Sequence, residues 1–278
     1  MYLVMAFMKW GRYSVEWRNN LEKRSYNYLF GPVASRRLGV SLGVDLVPSK
    51  TCSFDCLFCE AGKTTTHTTE RKEYVPTGKV LEELKDWFSL EQYADYITLS
   101  GAGEPTLHSR FGDVLDFVKN NSKYKTALLT NSSLLYLSEV RDSAVKADLV
   151  KASLSVWDNK SLCALNQPDG NVSFDNIISG LREFRKNYNG IFWLEIMIVQ
   201  GINSSEEDVL KIKSFADELQ TDKIQLNTVV RTPAYNSAVH VDTHLLRKLA
   251  ACFVPPAEIV GRFEKADKNI NPCVGLPV

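Results

Sequence analysis

No segment of the 278-residue chain reaches the ~20 consecutive apolar residues that span a bilayer. The opening Met1–Met8 is apolar for only eight residues, and Lys9 and Arg12 follow it rather than precede it. A secretory leader has the reverse charge order, so the expectation is a cytoplasmic protein with no membrane partner. Net charge is also missing: Lys+Arg and Asp+Glu are both 33. A general nucleic-acid binder usually carries a basic field, which leaves room here for a local basic patch only. With 15 Gly, 10 Pro and no internal period, collagenous and repeat architectures are excluded. Six cysteines in a chain this long are too sparse for a secreted disulfide scaffold.

What the chain does have is 44% hydrophobic residues, enough to offset chain entropy. Short apolar runs alternate with amphipathic stretches. The runs at 43–47, 96–100, 126–129, 150–155, 191–199 and 223–229 predict buried parallel strands. The stretches at 78–88, 111–119, 138–146, 174–188, 205–219 and 243–253 predict helices. Ser204 or Ser205 with Glu207 or Asp208 reads as a capping box. Six strand–helix units in alternation predict a parallel α/β fold. They are too few for a closed eightfold barrel. An open six-unit barrel over 41–253 fits, with a doubly wound sheet as competitor. Residues 1–40 read as an extension packed on the barrel and 254–278 as a tail. In either fold the chemistry belongs at the carboxyl ends of the strands.

Three of the cysteines, Cys52, Cys56 and Cys59, fall in a C-x3-C-x2-C loop after the first predicted strand. Three thiolates there could ligate three irons of a cubane cluster, which normally takes four cysteines. The fourth iron would remain open. Zinc is the alternative, with His67 as a conceivable fourth ligand, although structural zinc sites favour paired C-x2-C spacing. Redox thiols or chance spacing would be a third reading.

C-x3-C-x2-C with an aromatic, Phe58, before the third cysteine resembles the signature of the radical S-adenosylmethionine superfamily. The resemblance implies a partial (β/α)6 TIM-like barrel and a [4Fe-4S] cluster on Cys52, Cys56 and Cys59. It also implies S-adenosylmethionine on the open iron, cleaved to a 5′-deoxyadenosyl radical that takes a hydrogen from substrate. Ser100-Gly101-Ala102-Gly103-Glu104-Pro105-Thr106 is similar to the family's GGEP motif, with Ala102 in place of the first glycine. By that likeness Ala102, Gly103, Glu104 and Pro105 would hold the cofactor's methionine end, and Phe58 would pack near its adenine. At the third strand end Asn131 fits a polar position near the cofactor. Lys151 and Ser153 on the fourth strand would meet its carboxylate or ribose, unless they belong to a solvated strand end. Glu195 on the fifth is expected to face the lumen. Arg231, after the sixth, would either neutralise an anionic substrate group or close the barrel bottom with a salt bridge.

The run Phe30-Gly31-Pro32-Val33-Ala34-Ser35-Arg36-Arg37-Leu38-Gly39, continuing to Asp45, resembles a branch grouped with wyosine-type tRNA synthetases. Ser100–His108 and Gln225–Thr228 strengthen the likeness, which covers about 28–235. The tRNA enzymes carry extra amino-terminal cysteines for a second cluster, whereas no cysteine here precedes Cys52. Of the remaining cysteines, Cys163 is expected to be structural and Cys252 to be core. Cys273 could fold over the barrel mouth as a hydrogen donor or substrate-binding thiol. Arg36, Arg37, Lys63, Arg71 and Lys72 form either a phosphate-binding rim or ordinary solvated charge. The expected partners are an external one-electron donor of flavodoxin or ferredoxin type and a substrate, either a small molecule or RNA. A glycyl-radical activase and a zinc-binding interaction protein are the rival functions.

Overall fold

Strand burial follows from residue alternation. The structure, a computed structural model, describes residues 25–35 and 37–260. Its strands are β1 (Leu29–Ser35), β2 (Gly39–Val44), β3 (Thr51–Cys52), β4 (Thr66–His67), β5 (Tyr96–Leu99), β6 (Lys125–Thr130), β7 (Leu149–Ser153), β8 (Ile191–Ile198), β9 (Lys223–Thr228) and β10 (Glu258–Val260). On one face Leu42, Val44, Ile97, Leu99, Leu128, Val150, Leu194, Ile196 and Leu226 are at most 1% exposed and join the main core. Each such burial contributes roughly 1.5–3 kcal/mol. The opposite face carries a smaller apolar cluster of Leu38, Ala127 and Leu149 with Tyr96, Leu129 and Trp193. Strands buried on both faces require helices on the outside.

Seven helices supply that layer among the described residues: α1 (Thr77–Ser89), α2 (Phe111–Asn121), α3 (Ser138–Ala144), α4 (Asn159–Asn166), α5 (Phe174–Asn187), α6 (Glu206–Leu219) and α7 (Thr243–Ala250). Their starts are set by local chemistry. Ser173 caps α5 and Asp242 caps α7 through side-chain acceptance of a backbone N–H. The predicted capping box resolves to Ser205 with Asp208 at α6, and a second one, Asp158 with Ser161, opens α4. No helix among the described residues is long and apolar enough to cross a membrane.

The main sheet runs β1-β2-β5-β6-β7-β8-β9-β10. All pairs are parallel except β1 on β2. The six strands expected from sequence are present in sequential order, which excludes the doubly wound alternative. One strand is added at each edge, both from segments outside 41–253. A side-chain contact shows that the sheet curls. Arg37, just before β2, pairs with Glu195 on β8. Four strand spacings separate those strands, ~19 Å in a flat sheet, beyond the reach of one arginine. The sheet is therefore a half-barrel with a concave lumen.

Candidate active site

The cysteine loop leaves the carboxyl end of the β2 unit and is tied down on three sides. Cys52 ends β3, which pairs in parallel with β4 in the register Cys52↔His67. His67 is exposed, and its Nε2 lies 3.2 Å from the Ser53 carbonyl oxygen. Cys59 N–H donates to Cys56 O at 3.2 Å and Gly62 N–H to Cys59 O at 3.1 Å, which tightens the turn. From below, Phe54 and Leu57 are buried in the core, with Phe58 half-buried against it. The third tie is the end of α4. Asp55 N–H donates to Asn166 O at 3.0 Å, Leu57 N–H to Leu165 O at 3.0 Å and Asp169 N–H to Ser53 O at 2.8 Å. Phe54 and Pro168 form an antiparallel bridge.

Each thiol has a donor near its sulfur. Asn131 Nδ2 lies 3.5 Å from Cys52 Sγ, and Asn166 Nδ2 lies 3.1 Å from Cys56 Sγ. The Ala61 and Gly62 backbone N–H groups serve Cys59. Burial nevertheless pushes all three thiols up, Cys52 to about 12. Without bound metal the loop therefore holds neutral thiols. Thiolate N–H···S donors of this kind suit an iron–sulfur cluster. Among the described residues no three His, Cys, Asp or Glu side chains are grouped to hold one metal ion. Three thiols, each with an N–H donor at hand, form a donor set that fits an iron–sulfur cluster.

The loop after β5 lies directly against the cysteine loop. Glu104 N–H donates to Thr51 O at 3.1 Å, and Lys50 N–H donates to Ala102 O at 2.7 Å. A Cβ on Gly103 would overlap the Thr51 carbonyl oxygen, and Gly101 has φ +146° with the Asp45 carboxylate packed where its Cβ would be. Ala102 has neither constraint and an ordinary negative φ. The glycine missing from the GGEP pattern is thus the one this backbone does not need.

Glu104 is 2% exposed and accepts from Thr106 N–H (3.1 Å), Thr106 Oγ1 (2.6 Å), Thr130 Oγ1 (2.8 Å) and Asn131 N–H (2.7 Å). Burial raises its pKa while these bonds oppose the rise. It staples the β5 end to the β6 end, with Pro105 opening the 3-10 turn behind it. Asn131 extends the network: its Nδ2 donates to Ser53 Oγ at 2.9 Å, and Ser53 Oγ sits 2.6 Å from Ser133 Oγ.

The histidine that ends this motif is structural. His108 is fully buried, its Nδ1 accepts from Arg110 N–H at 3.2 Å, and its Nε2 donates to Val75 O at 2.9 Å. Burial lowers its pKa below 6.5. The neutral ring is favoured on folding, so its contribution is complete above pH 6.5 and declines as pH falls below it. His108→Ala is expected to cost about 1–3 kcal/mol and to flatten the loss of stability between pH 7.5 and 5.5. Urea unfolding at those two pH values, against wild type, checks both.

A second polar network lies in the lumen. Glu195, 8% exposed, pairs with both Lys151 and Arg37 and accepts from Asn227 Nδ2 at 3.3 Å. Burial alone would raise its pKa; the Lys151 and Arg37 charges outweigh that and hold it at about 2. Lys151 is thereby committed to Glu195. Ser153 is half-buried, and its carbonyl accepts from Ser132 Oγ at 2.9 Å. Arg37 is thus neither a phosphate-binding rim residue nor an ordinary solvated charge, and its pairing with Glu195 was not expected from the sequence.

Arg231 sits above the carboxyl end of β9, where its Nη1 meets Glu60 of the cysteine loop at 2.6 Å. Its salt bridge is at the top of the barrel, not the bottom. Tyr235 follows it onto the same loop, donating to Asp55 Oδ2 at 2.5 Å, with Lys63 Nζ 4.4 Å from its ring centroid. Arg71 bonds the Thr106 carbonyl at 3.0 Å, and Lys72 pairs with Glu70, so neither is a free rim charge. Cys163 is exposed, and Cys252, past the end of α7, is half-buried and packed against the edge of the main core. Arg36 and Cys273 lie outside the described residues.

The comparisons agree with this arrangement. The profile of the radical SAM superfamily matches residues 46–212. A UPF0026 protein of Methanocaldococcus jannaschii is 33% identical over 84% of this chain and 72% of its own length. A protein named GTPase Obg from Brachyspira hyodysenteriae is 34% identical over 81% of this chain, which spans only 33% of that relative. In structure, the chain resembles a radical SAM methyltransferase from Sphaerobacter thermophilus with a TM-score of 0.61 and 13% identity, covering 81% of this chain and 67% of that one. Streptococcus suis SuiB bound to S-adenosylmethionine gives a TM-score of 0.57 at 19% identity, covering 76% of this chain and 46% of that one. None of these relatives carries the name of the wyosine-type enzymes that the amino-terminal run resembles. By its UPF0026 relatives the chain groups with those proteins, and by sequence profile this chain belongs to the radical SAM superfamily.

Proposed function

We propose that the protein is a radical SAM enzyme whose Cys52, Cys56 and Cys59 hold three irons of a [4Fe-4S] cluster. The supporting observation is the contact of the cysteine loop with two strand ends, the Gly101–Glu104 loop after β5 through Gly103 on Thr51 and the end of β6 through Asn131 on Cys52. Held by these thiols, the cluster would supply the one electron needed to cleave the sulfonium of S-adenosylmethionine to methionine and a 5′-deoxyadenosyl radical able to take a hydrogen atom from substrate. The chain's own residues position the parts. The Ala102–Gly103 backbone and Asn131 border the cofactor's methionine end, while Phe58 flanks the adenine. Glu104 fixes both border segments rather than offering a free carboxylate. The lumen, with Ser153, Lys151 and Glu195, receives a small metabolite or an RNA nucleoside. The electron comes from an external one-electron donor.

Mass spectrometry for 5′-deoxyadenosine tests this. Protein reconstituted without oxygen is given S-adenosylmethionine and dithionite, with wild type beside Cys56→Ala. The expected result is 5′-deoxyadenosine from wild type alone. One zinc with no iron or sulfide would overturn the reading, and a full iron and sulfide count without product would overturn cleavage as the reaction.

A further inference from the structure

Cys52 and Cys59 both draw on backbone N–H groups of their own loop, whereas Cys56 relies on a side chain. Cys59 draws on backbone N–H groups of its own loop, Ala61 and Gly62, and Cys52 on Phe54 N–H as well as Asn131. For Cys56 the donor is the Asn166 side chain, 110 residues away at the end of α4. Asn166 is 7% exposed, so its amide is withdrawn from water and committed to the sulfur at 3.1 Å. The backbone around it is built for that placement. Gln167 adopts the left-handed conformation at the helix end, with φ 45°. This turns residues 165–169 to run beside 53–57 and brings the Asn166 carbonyl onto Asp55 N–H.

We propose that Asn166 is a positioning residue that sets the reduction potential of the cluster through Cys56. The inference rests on the radical SAM reading above. Reduction adds one negative charge to the cluster and its thiolates. An N–H dipole aimed at a thiolate stabilises the more negative state and raises the potential. Asn166 Nδ2 acts in a site largely withdrawn from solvent, where such a dipole is poorly screened. Asn131, at 3.5 Å from Cys52, acts in the same sense but more weakly.

The experiment is an EPR-monitored redox titration of the anaerobically reconstituted full chain, wild type beside Asn166→Leu and Asn166→Ser. Leucine keeps the side-chain volume and removes the donor, while serine keeps polarity but withdraws it from the sulfur. Iron and sulfide counts and the dissociation constant for S-adenosylmethionine are measured on each. The expected result is a more negative midpoint in both variants, with iron and sulfide unchanged and cofactor affinity within about twofold. A full cluster with an unshifted midpoint would overturn the assignment. Loss of the cluster from both variants would also overturn it, making Asn166 a purely structural clasp. Absence of iron and sulfide from wild type would instead remove the radical SAM reading, and this inference with it.

Discussion

Glu195→Ala is expected to destabilise the protein by about 3–5 kcal/mol, because it removes the carboxylate that Arg37 and Lys151 share in the lumen. Their side chains are only 15% and 9% exposed, so solvent cannot replace the lost partner. At roughly 2–4 °C per kcal/mol for a domain of this size, the unfolding midpoint falls by on the order of 10 °C. Lys151→Met in the same chain should recover part of the loss by removing one of the two cations that Glu195 balances. The acid side of the stability curve changes too. With the folded carboxyl held at about 2 against an ordinary 4.5, its contribution is complete above pH 4.5 and is lost as pH falls towards 2. The Glu195→Ala protein lacks that part of the decline. Thermal unfolding followed by circular dichroism at pH 7 and pH 3.5 measures both. A drop below about 1 kcal/mol at pH 7 would mean that the three ions are separately hydrated.

Gly103→Ala is expected to abolish 5′-deoxyadenosine formation, by at least about 100-fold, since misplacement near 1 Å suffices for such a loss. The added Cβ meets a backbone oxygen, Thr51 O, which cannot swing aside as a flexible side chain would. Thr51 adjoins Cys52, and the same carbonyl accepts Glu104 N–H at 3.1 Å. The displacement is therefore shared by the cluster loop and the cofactor loop, so iron content and cofactor affinity both fall. Ala102→Gly one residue earlier is expected to leave both within about twofold, because nothing in the backbone there asks for glycine. Parallel measurement of iron, cofactor binding and product in the two variants separates steric misplacement from loop softening. Equal behaviour of the two would sink the argument.

These features were unequally legible in the sequence. Periodicity located the six central strands because each is a buried β-rich run, and six helices because each presents one apolar stripe. Edge strand β10 is three residues long and β1 contains Gly31 and Pro32, so neither reads as a buried run. Helix α4 has only Leu162 and Leu165 on its buried apolar side, too few for a periodic signal, although Asp158 with Ser161 marks its start. The spacing of Cys52, Cys56 and Cys59 was readable because the chemistry lies within one loop. Arg37 against Glu195, 158 residues apart, and Asn166 against Cys56 were not, because only the curl of the sheet and the turn at Gln167 bring them together. Glu104 was identified from its motif, but two of its four donors, Thr130 Oγ1 and Asn131 N–H, depend on how β6 ends.

The brace between residues 165–169 and the cysteine loop also imposes an order on biosynthesis. All three thiols emerge from the ribosome before any of that brace exists. With 110 residues between Cys56 and Asn166, and translation at ~5–20 residues per second, the interval is roughly 5–20 s. During it the loop is a free trithiol, open to oxidants and to adventitious metals. On the function proposed above, the loop reaches the geometry that would receive a cluster only after the fourth strand–helix unit has been synthesised.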